Sequence, residues 1–216
     1  MSEKKYSGYL QNLKGISAGV TDTLKIRYRP YICPFDFIIK TASESESVFD
    51  IGCGNGQSIF LIDTFSGKKK YLKGIEISDK LVEQAIRIYK ENPFHTIIKF
   101  EKYDGKTLPD DMKEYDLVTM IDVLHHIPAD LQEDILRQVF SKMKSGARFL
   151  LKDIDADSLL VFFNKAHDLI LSGEIGKERS ANHVKSILEK TGFRIINCFK
   201  QRTLWYPHYF ILCEKT

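Results

Sequence analysis

The chain has 216 residues, of which 43% are hydrophobic, and a formal net charge of +3. This length is sufficient for one well-packed α/β domain and too short for two ordinary domains with a linker. The charge is small compared with that of nucleic-acid binders, whose basic residues are usually clustered. The only basic run, Lys68–Lys70, is predicted to be a solvated turn. We therefore expect no nucleic-acid partner.

The four cysteines are scattered, and no two form a C-x-x-C pair. This pattern indicates neither a zinc site nor a disulfide framework, and it suits a reducing compartment. The sequence shows no basic-then-apolar leader and no apolar run of roughly 20 residues. These features predict a cytoplasmic protein without a membrane span, and they leave its oligomeric state undecided.

Residues 1–46 show loose helical spacing of apolar residues and no strand pattern. A basic and aromatic stretch within them contains Arg27 and Arg29, for which two interpretations compete. In the first, the arginine stems pack on tyrosine rings at the surface. In the second, one guanidinium, that of Arg29 rather than Arg27, binds a carboxylate of a cofactor or of an acidic substrate.

The segment Ser47–Gln57 predicts a strand, a tight glycine turn and the start of a helix. Gly52, Gly54 and Gly56 allow positive φ values and a close approach of the backbone to a ligand. The spacing lacks the last glycine of G-x-G-x-x-G and the Lys-Ser/Thr of a P-loop, which weakens a dinucleotide site and excludes a P-loop. Asp50 at the strand end would repel a pyrophosphate and attract an amino group or a sulfonium.

This combination points to S-adenosylmethionine as the cofactor. Residues 50–56, D-I-G-C-G-N-G, resemble the D-x-G-x-G-x-G first motif of class I S-adenosylmethionine-dependent methyltransferases. The resemblance implies an α/β, Rossmann-like sheet of seven strands, mostly parallel with an antiparallel final strand, with helices on both faces. It also implies an N-terminal helical cap or lid over residues 1–46 and a methyltransferase domain over residues 47–216.

The second predicted strand, residues 71–77, carries Glu76 near its end. An acidic residue at this point usually binds the ribose hydroxyls, although an exposed strand-end carboxylate is the alternative. Gly-Ile-Glu-Ile-Ser resembles the second motif of the family, which favours the ribose role and places Ile77 beside the cofactor. After a third strand at 96–103, the resemblance implies that Asp104, with Gly105, meets the adenine amino group. Asp-Gly is also ordinary turn chemistry.

The fourth predicted strand, residues 115–121, runs into a segment at 122–128 that resembles the fourth motif of small-molecule methyltransferases. Ile121 and Asp122 should lie beside the methionine half of the cofactor. The segment does not resemble the Asn/Asp-Pro-Pro-Tyr/Phe motif of enzymes that methylate exocyclic amines. If the acceptor is a phenol or another hydroxyl, His125 is the first candidate for a general base, with a packed structural role as an equal alternative. His126 is a second candidate, for which a packed structural role is the main alternative. His167, His183 and Asp153 are further candidates for the base.

A regular helix at 128–143 and a fifth strand at 147–153 are expected to be scaffold. Asp153, Asp155 and Asp157 are predicted to be strand-end and N-cap carboxylates and not metal ligands, because the rest of a calcium loop is absent. Between residues 155 and 180 the sequence predicts an inserted apolar helix that builds the acceptor pocket; a dimer face is the alternative. The last two strands, residues 193–200 and 209–214, should form an antiparallel pair whose turn lies opposite the active site or near a partner.

The sequence thus predicts a methyltransferase that acts on a small molecule, with an O-acceptor on an apolar or aromatic substrate. Positioning supplies roughly 7 to 11 kcal/mol in well-oriented reactions, whereas a general base adds about 10²–10⁴-fold. A base is therefore helpful and not obligatory. The alternatives are methylation of a protein or RNA, and a non-catalytic protein that binds S-adenosylmethionine.

Overall fold

The computed structural model describes residues 2–16, 28–158 and 176–216. Its strands are β1 (Ser47–Ile51), β2 (Tyr71–Glu76), β3 (Ile97–Lys102), β4 (Leu117–Ile121), β5 (Arg148–Ile154), β6 (Phe193–Thr203) and β7 (Tyr206–Lys215). Its main helices are α1 (Ser2–Gln11), α2 (Phe35–Ser43), α3 (Gln57–Phe65), α4 (Asp79–Glu91), α5 (Gln132–Lys142) and α6 (Ala181–Thr191). Short 3₁₀ turns span Asp110–Glu114 and Leu124–His126.

The strands form one seven-stranded sheet in the order β3-β2-β1-β4-β5-β7-β6. The pairs β1–β2, β2–β3 and β4–β5 are parallel, while β7 is antiparallel to both β5 and β6. The predicted fold class is confirmed. The chain divides into two compact units, residues 1–105 and 106–216; the predicted boundary between residues 46 and 47 stays a prediction.

In the first unit, β1 is buried along its whole length, which explains its unbroken run of mostly apolar residues. The chain leaves β1 through the glycine turn and enters α3 at Gln57, as the motif predicts. It leaves β2 and enters α4, whose N-cap Ser78 accepts a hydrogen bond at its hydroxyl from the Leu81 N–H at 3.5 Å. Both helices therefore start at the carboxyl ends of their strands.

The N-terminal helix α1 docks on the far ends of α3 and α4. The rings of Tyr6 and Tyr9 each lie 5.3 Å from that of Phe65, the last residue of α3. Asn92, just after α4, exchanges two hydrogen bonds with the backbone of Lys14, both at 3.0 Å. These contacts lie away from the glycine turn, which is at the start of α3. A lid role for residues 1–46 stays a prediction, because residues 17–27 are outside the described ranges.

In the second unit, the hairpin of β6 and β7 is longer than predicted, with Thr203 paired to Tyr206 across a turn at Leu204 and Trp205. Because β5 and β6 both run antiparallel to β7, their carboxyl ends lie at the same edge of the sheet. The hairpin turn therefore lies beyond the carboxyl end of β5. The turn was expected opposite the active site or near a partner. The shared direction of β5 and β6 puts it at the carboxyl edge of β5, the edge at which such sheets bind ligands, and this contradicts the first alternative.

The predicted inserted helix at 155–180 is described only at its ends, over residues 155–158 and 176–180. The apolar segment and His167 lie outside the described residues. Within the described ranges, no helix combines the length and the hydropathy that crossing a membrane requires.

Gln132, the first residue of α5, joins three segments of the second unit. Its side chain is 1% exposed, and its Nε2 donates to the carbonyls of Leu124, Ile127 and Lys177, each at 3.0 Å. Its Oε1 accepts a hydrogen bond from Arg179 Nε at 2.7 Å. One buried amide thus fixes the 3₁₀ turn at residues 124–126 against residues 177–179.

Replacing Gln132 with leucine should lower the free energy of unfolding by about 2–4 kcal/mol, because buried carbonyls lose their donor. The matched control is Gln138→Leu in the same helix. Gln138 also makes three hydrogen bonds, to Lys106, Leu108 and Asp134, but it is half-buried and water can replace them. We expect a loss below about 1 kcal/mol there. Urea unfolding measures the free energy of unfolding of both variants. Equal losses of stability would contradict the proposed structural role of Gln132.

Candidate functional site

The carboxylate of Glu76 organises the carboxyl ends of β1 and β2. Its Oε2 accepts a hydrogen bond from the Gly54 N–H at 3.0 Å. Its Oε1 accepts from the N–H groups of Ile77 and Ser78, at 2.8 and 3.0 Å. Glu76 is 8% exposed, so it is not the exposed strand-end carboxylate of the alternative interpretation. Its ribose role stays a prediction, since three backbone donors already use most of its lone pairs.

The three glycines of the turn all have positive φ, at 70° for Gly52, 55° for Gly54 and 87° for Gly56. A Cβ on Gly56 would lie 2.9 Å from the Phe60 and Phe100 rings, so the core itself requires this glycine. A Cβ on Gly54 would meet no described atom within 4 Å. The space over Gly54 is therefore open, as a backbone cradle for a ligand requires.

Buried negative charge surrounds this turn. Asp50 is 2% exposed within β1, one residue before the strand ends. Burial raises the pKa of the Cys53 thiol well above its ordinary value, and the carboxylates of Asp50 and Glu76 raise it further. The buried Oε1 of Gln57, at the start of α3, has no hydrogen-bond partner among the described residues. The turn offers carboxylates and an unused acceptor, which suit a cationic ligand with N–H or O–H donors.

The end of β3 contributes an aromatic residue that the sequence argument missed. Tyr103 is half-buried, and its N–H donates to the Glu76 carbonyl at 3.1 Å. Burial, and then the charges of Glu76 and Asp104, raise its pKa to about 12. Asp104 and Gly105 follow in an exposed turn, where Gly105 approaches the side chain of Ile77. The sequence feature that could have identified Tyr103 is an aromatic residue directly after the third strand.

In the second unit, Asp122 follows β4 with a φ of 58°, which is unusual for a residue with a side chain. Lys152 of β5 holds it there. The Asp122 N–H donates to the Lys152 carbonyl at 2.9 Å, and the Lys152 ammonium lies 2.5 Å from Asp122 Oδ1. The Lys152 side chain is completely buried, while that of Asp122 is 24% exposed. Lys152 was not predicted to belong to a site, because it lies within a strand that was expected to be scaffold.

His125 and Asp153 form a buried pair in the same unit. The His125 Nδ1 lies 2.5 Å from Asp153 Oδ1, and the two side chains are 4% and 2% exposed. Asp153 Oδ2 also accepts a hydrogen bond from the His125 backbone N–H at 3.1 Å, and Oδ1 accepts one from the Ile154 N–H at 2.7 Å. This contact selects the tautomer with the proton on Nδ1 and leaves the lone pair on Nε2. Asp153 thus orients a histidine, a role that the sequence argument did not give it.

Tyr209 of β7 stands opposite Asp153 in the strand register. Complete burial raises the pKa of its phenol well above the ordinary value, and the nearby carboxylates of Asp153, Asp155 and Asp122 act in the same direction. The phenol therefore stays protonated and can act as a hydrogen-bond donor. Tyr209 was not predicted from the sequence, because the pairing of β5 with β7 joins residues far apart in the chain.

The remaining predicted residues differ in their exposure and in their contacts. The exposed His126 ring lies 4.0 Å from the His125 ring. His183 Nε2 lies 2.8 Å from an Arg179 guanidinium nitrogen at the start of α6, so it is engaged elsewhere. Arg29 is half-buried in a helical stretch at residues 28–32, and its carboxylate-clamp role stays a prediction. Arg27 lies outside the described residues. Ile121 ends β4 and is 3% exposed.

The residues of the first unit match the chemistry of S-adenosylmethionine, which carries a sulfonium, an ammonium and ribose hydroxyls. The open space over Gly54, the buried carboxylates and the unused Gln57 acceptor all favour such a ligand. A pyrophosphate would meet like charge at the same place. The structure therefore supports the cofactor inferred from the sequence over a dinucleotide.

Comparisons with known proteins agree with this geometry. A family model described as a methyltransferase domain matches residues 25–197. The 27-O-demethylrifamycin SV methyltransferase of Amycolatopsis mediterranei is 33% identical over 109 residues, which are 50% of this chain and 38% of that protein. A sterol 24-C-methyltransferase of Pneumocystis carinii is 26% identical over 165 residues, 71% of this chain and 41% of that protein. The chain therefore spans well under two thirds of these relatives.

Among solved structures, the magnesium protoporphyrin IX methyltransferase of Synechocystis, with bound S-adenosylhomocysteine, superposes with a TM-score of 0.71 at 20% identity. The superposition covers 97% of this chain and 95% of that one. This likeness concerns the fold. The family model, which covers most of the chain, shows that this protein belongs to the methyltransferase domain family, and the predicted family and its cofactor, S-adenosylmethionine, are thereby confirmed.

Proposed function

We propose that the protein transfers a methyl group from S-adenosylmethionine to an oxygen atom of an apolar or aromatic small molecule. The buried His125–Asp153 pair supports this proposal most directly. A histidine oriented by a carboxylate is the usual device for removing a proton from a hydroxyl at neutral pH. A carboxyl acceptor would need it less, because a carboxylic acid is already ionised at neutral pH.

When bound, the cofactor supplies a methyl group that its sulfonium already activates. On our proposal, Gly52, Gly54 and Gly56 leave room for it, while Asp50 and Glu76 favour its positive charge and its hydroxyls. Asp104, Gly105 and Ile77 keep the adenosine role, and Ile121 and Asp122 keep the methionine role, that the family resemblance implies. Lys152 fixes the carboxylate of Asp122 by charge and by its backbone carbonyl.

His125 then accepts the acceptor's hydroxyl proton at Nε2. Asp153 stabilises the resulting imidazolium through the hydrogen bond at Nδ1, and it keeps the ring from rotating. With the cofactor bound, the deprotonated acceptor oxygen would take the methyl group that the sulfonium supplies, and the released proton would stay on His125 Nε2.

The names of the relatives support a small-molecule acceptor and leave the atom open, since they include both an O-methyltransferase and a sterol C-methyltransferase. The polar His125–Asp153 pair favours oxygen. The mild net charge of +3 disfavours RNA as the acceptor. Incubation with methyl-labelled cofactor and a panel of phenols, alcohols and carboxylic acids tests the proposal. Cofactor binding without label transfer to any acceptor would favour a non-catalytic binding protein.

Gly54→Ala should weaken the binding of S-adenosylmethionine at least about tenfold, which corresponds to roughly 1.4 kcal/mol. The new methyl group would occupy the open space over the turn. Glu76 is a poorer target, since its removal also frees three backbone N–H groups. Calorimetric titration of the variant with the cofactor measures the effect.

The matched control for that variant is Gly67→Ala, at the turn that follows α3. Gly67 also has a positive φ, 82°, and a Cβ there would likewise meet no described atom within 4 Å. Both variants should lose about 1–2 kcal/mol of stability from backbone strain, while the control keeps its cofactor affinity. If the two variants bound S-adenosylmethionine with equal affinity, the glycine turn would not be part of the cofactor site.

His125→Gln should lower turnover on a hydroxyl acceptor at pH 7 by about 10²–10⁴-fold and leave cofactor affinity unchanged. With a phenolic acceptor, the deficit should shrink as the pH approaches about 10, because the phenolate that forms there needs no base. A merely structural role of His125 would give a deficit that is independent of pH. Initial rates between pH 6 and pH 10 separate the two outcomes.

The control for His125→Gln is His126→Gln, the exposed neighbour. It should retain nearly full turnover across the same pH range. A pH-dependent loss in His126→Gln, together with normal rates in His125→Gln, would move the base to His126.

A further inference from the structure

The lysine run Lys68–Lys70 does not form the solvated turn that the sequence predicts. Lys68 and Lys70 are exposed, but Lys69 is 5% exposed. The Lys69 ammonium donates to the Ser66 carbonyl at 3.0 Å, which uses one of its three N–H groups. Burial lowers the pKa of Lys69. A solvated turn has no reason to bury an ammonium, so this lysine needs another explanation.

The charges near Lys69 are not balanced. Lys70 forms an ion pair with Glu46. Across the described ranges, neither Lys68 nor Lys69 has a carboxylate within ion-pair distance. Burying an ammonium without a counterion costs stability. Two cations therefore remain that a bound anion could neutralise.

These lysines line a cavity of about 510 Å³ in the first unit. Its walls are Glu46, Lys68, Lys69, Lys70, His95, Thr96 and Ile97. The residues that line it precede or begin β1, β2 and β3, so the cavity lies at the amino edge of these parallel strands. The glycine turn lies at their carboxyl edge, so the cavity is separate from the proposed cofactor site.

The chemistry of the walls selects a class of ligand. Three lysines face one glutamate, which favours an anion, and an ammonium is a strong point-charge donor to phosphate oxygens. Ile97 is 67% exposed and provides an apolar wall beside the lysines. The cavity is open to solvent, and its volume of about 510 Å³ leaves room for a small phosphate-bearing molecule.

We propose that this cavity is a second binding site, for a phosphate-bearing small molecule whose apolar portion lies against Ile97. The phosphate takes the ammonium groups of Lys69 and Lys68 as its counterions. Binding there stabilises the fold by supplying the charge partner that Lys69 lacks. The residues of this site lie at the amino ends of β1, β2 and β3, whereas the glycine turn lies at a carboxyl end. The site is therefore separate from that of the proposed methyl transfer.

The test uses pyrophosphate as the probe and the unfolding midpoint and calorimetry as readouts, with ionic strength held constant by chloride. The wild-type protein should show a saturable rise in its midpoint. Lys69→Met should bind pyrophosphate at least about tenfold more weakly than the wild type does. Saturating S-adenosylmethionine should leave the affinity for pyrophosphate unchanged.

Two further variants complete the test. Lys99→Met, at an exposed position on β3, makes the same change in net charge away from the cavity and should bind as wild type does. Lys68→Met alters only an exposed side chain, so it should fold normally and bind at least about threefold more weakly than wild type. An equal response of all four proteins would mean non-specific ionic stabilisation and would overturn the proposal. Absence of a response in the wild type would overturn it as well.

Discussion

The carboxylate of Glu76 is the contact on which the first unit depends. It binds the Gly54 N–H of one turn and the Ile77 and Ser78 N–H groups of the next, so it joins the segments that follow β1 and β2. The glycine turn then needs no contact with a phosphate to hold its shape. The same charge, with that of Asp50, makes this edge of the strands unfavourable for phosphate. Uncompensated lysines lie at the opposite edge, and the unit therefore has a different electrostatic character at each end.

The local features could be predicted from the sequence because their causes are local. The alternation of glycines after a short apolar run indicated the turn after β1, and Gln57 begins the helix where that pattern places it. Ser78 caps α4 as an N-cap serine should. Glu76 stands at the end of its strand, although its observed partners are backbone groups that no sequence pattern reveals. Strand limits differed by one or two residues, except in the final hairpin, where the Pro207 position concealed a longer β7.

The contacts that order the second unit join residues far apart in the chain, and no spacing announces them. Lys152 and Asp122 are 30 positions apart, Gln132 and Arg179 are 47, and His125 and Asp153 are 28. Each pair meets only once β4, β5 and α6 have taken their places. Lys152 shows the difficulty well. A lysine among apolar residues in a strand usually indicates an exposed position. The Lys152 ammonium is buried instead, because it forms an ion pair with Asp122, whose backbone has a positive φ.

The position of the β6–β7 turn bears on how relatives of this protein can diverge. Leu204 and Trp205 are exposed and lie beyond the carboxyl end of β5. The register between β7 and β5 is fixed by residues 208–214, which follow this turn. Extra residues inserted at this turn would leave the ladder intact and would add chain near Asp153 and Asp155. If the acceptor binds at His125 and Asp153 as we propose, the length of one hairpin would change which molecule is methylated. The glycine turn, which we propose for the methyl donor, would stay the same.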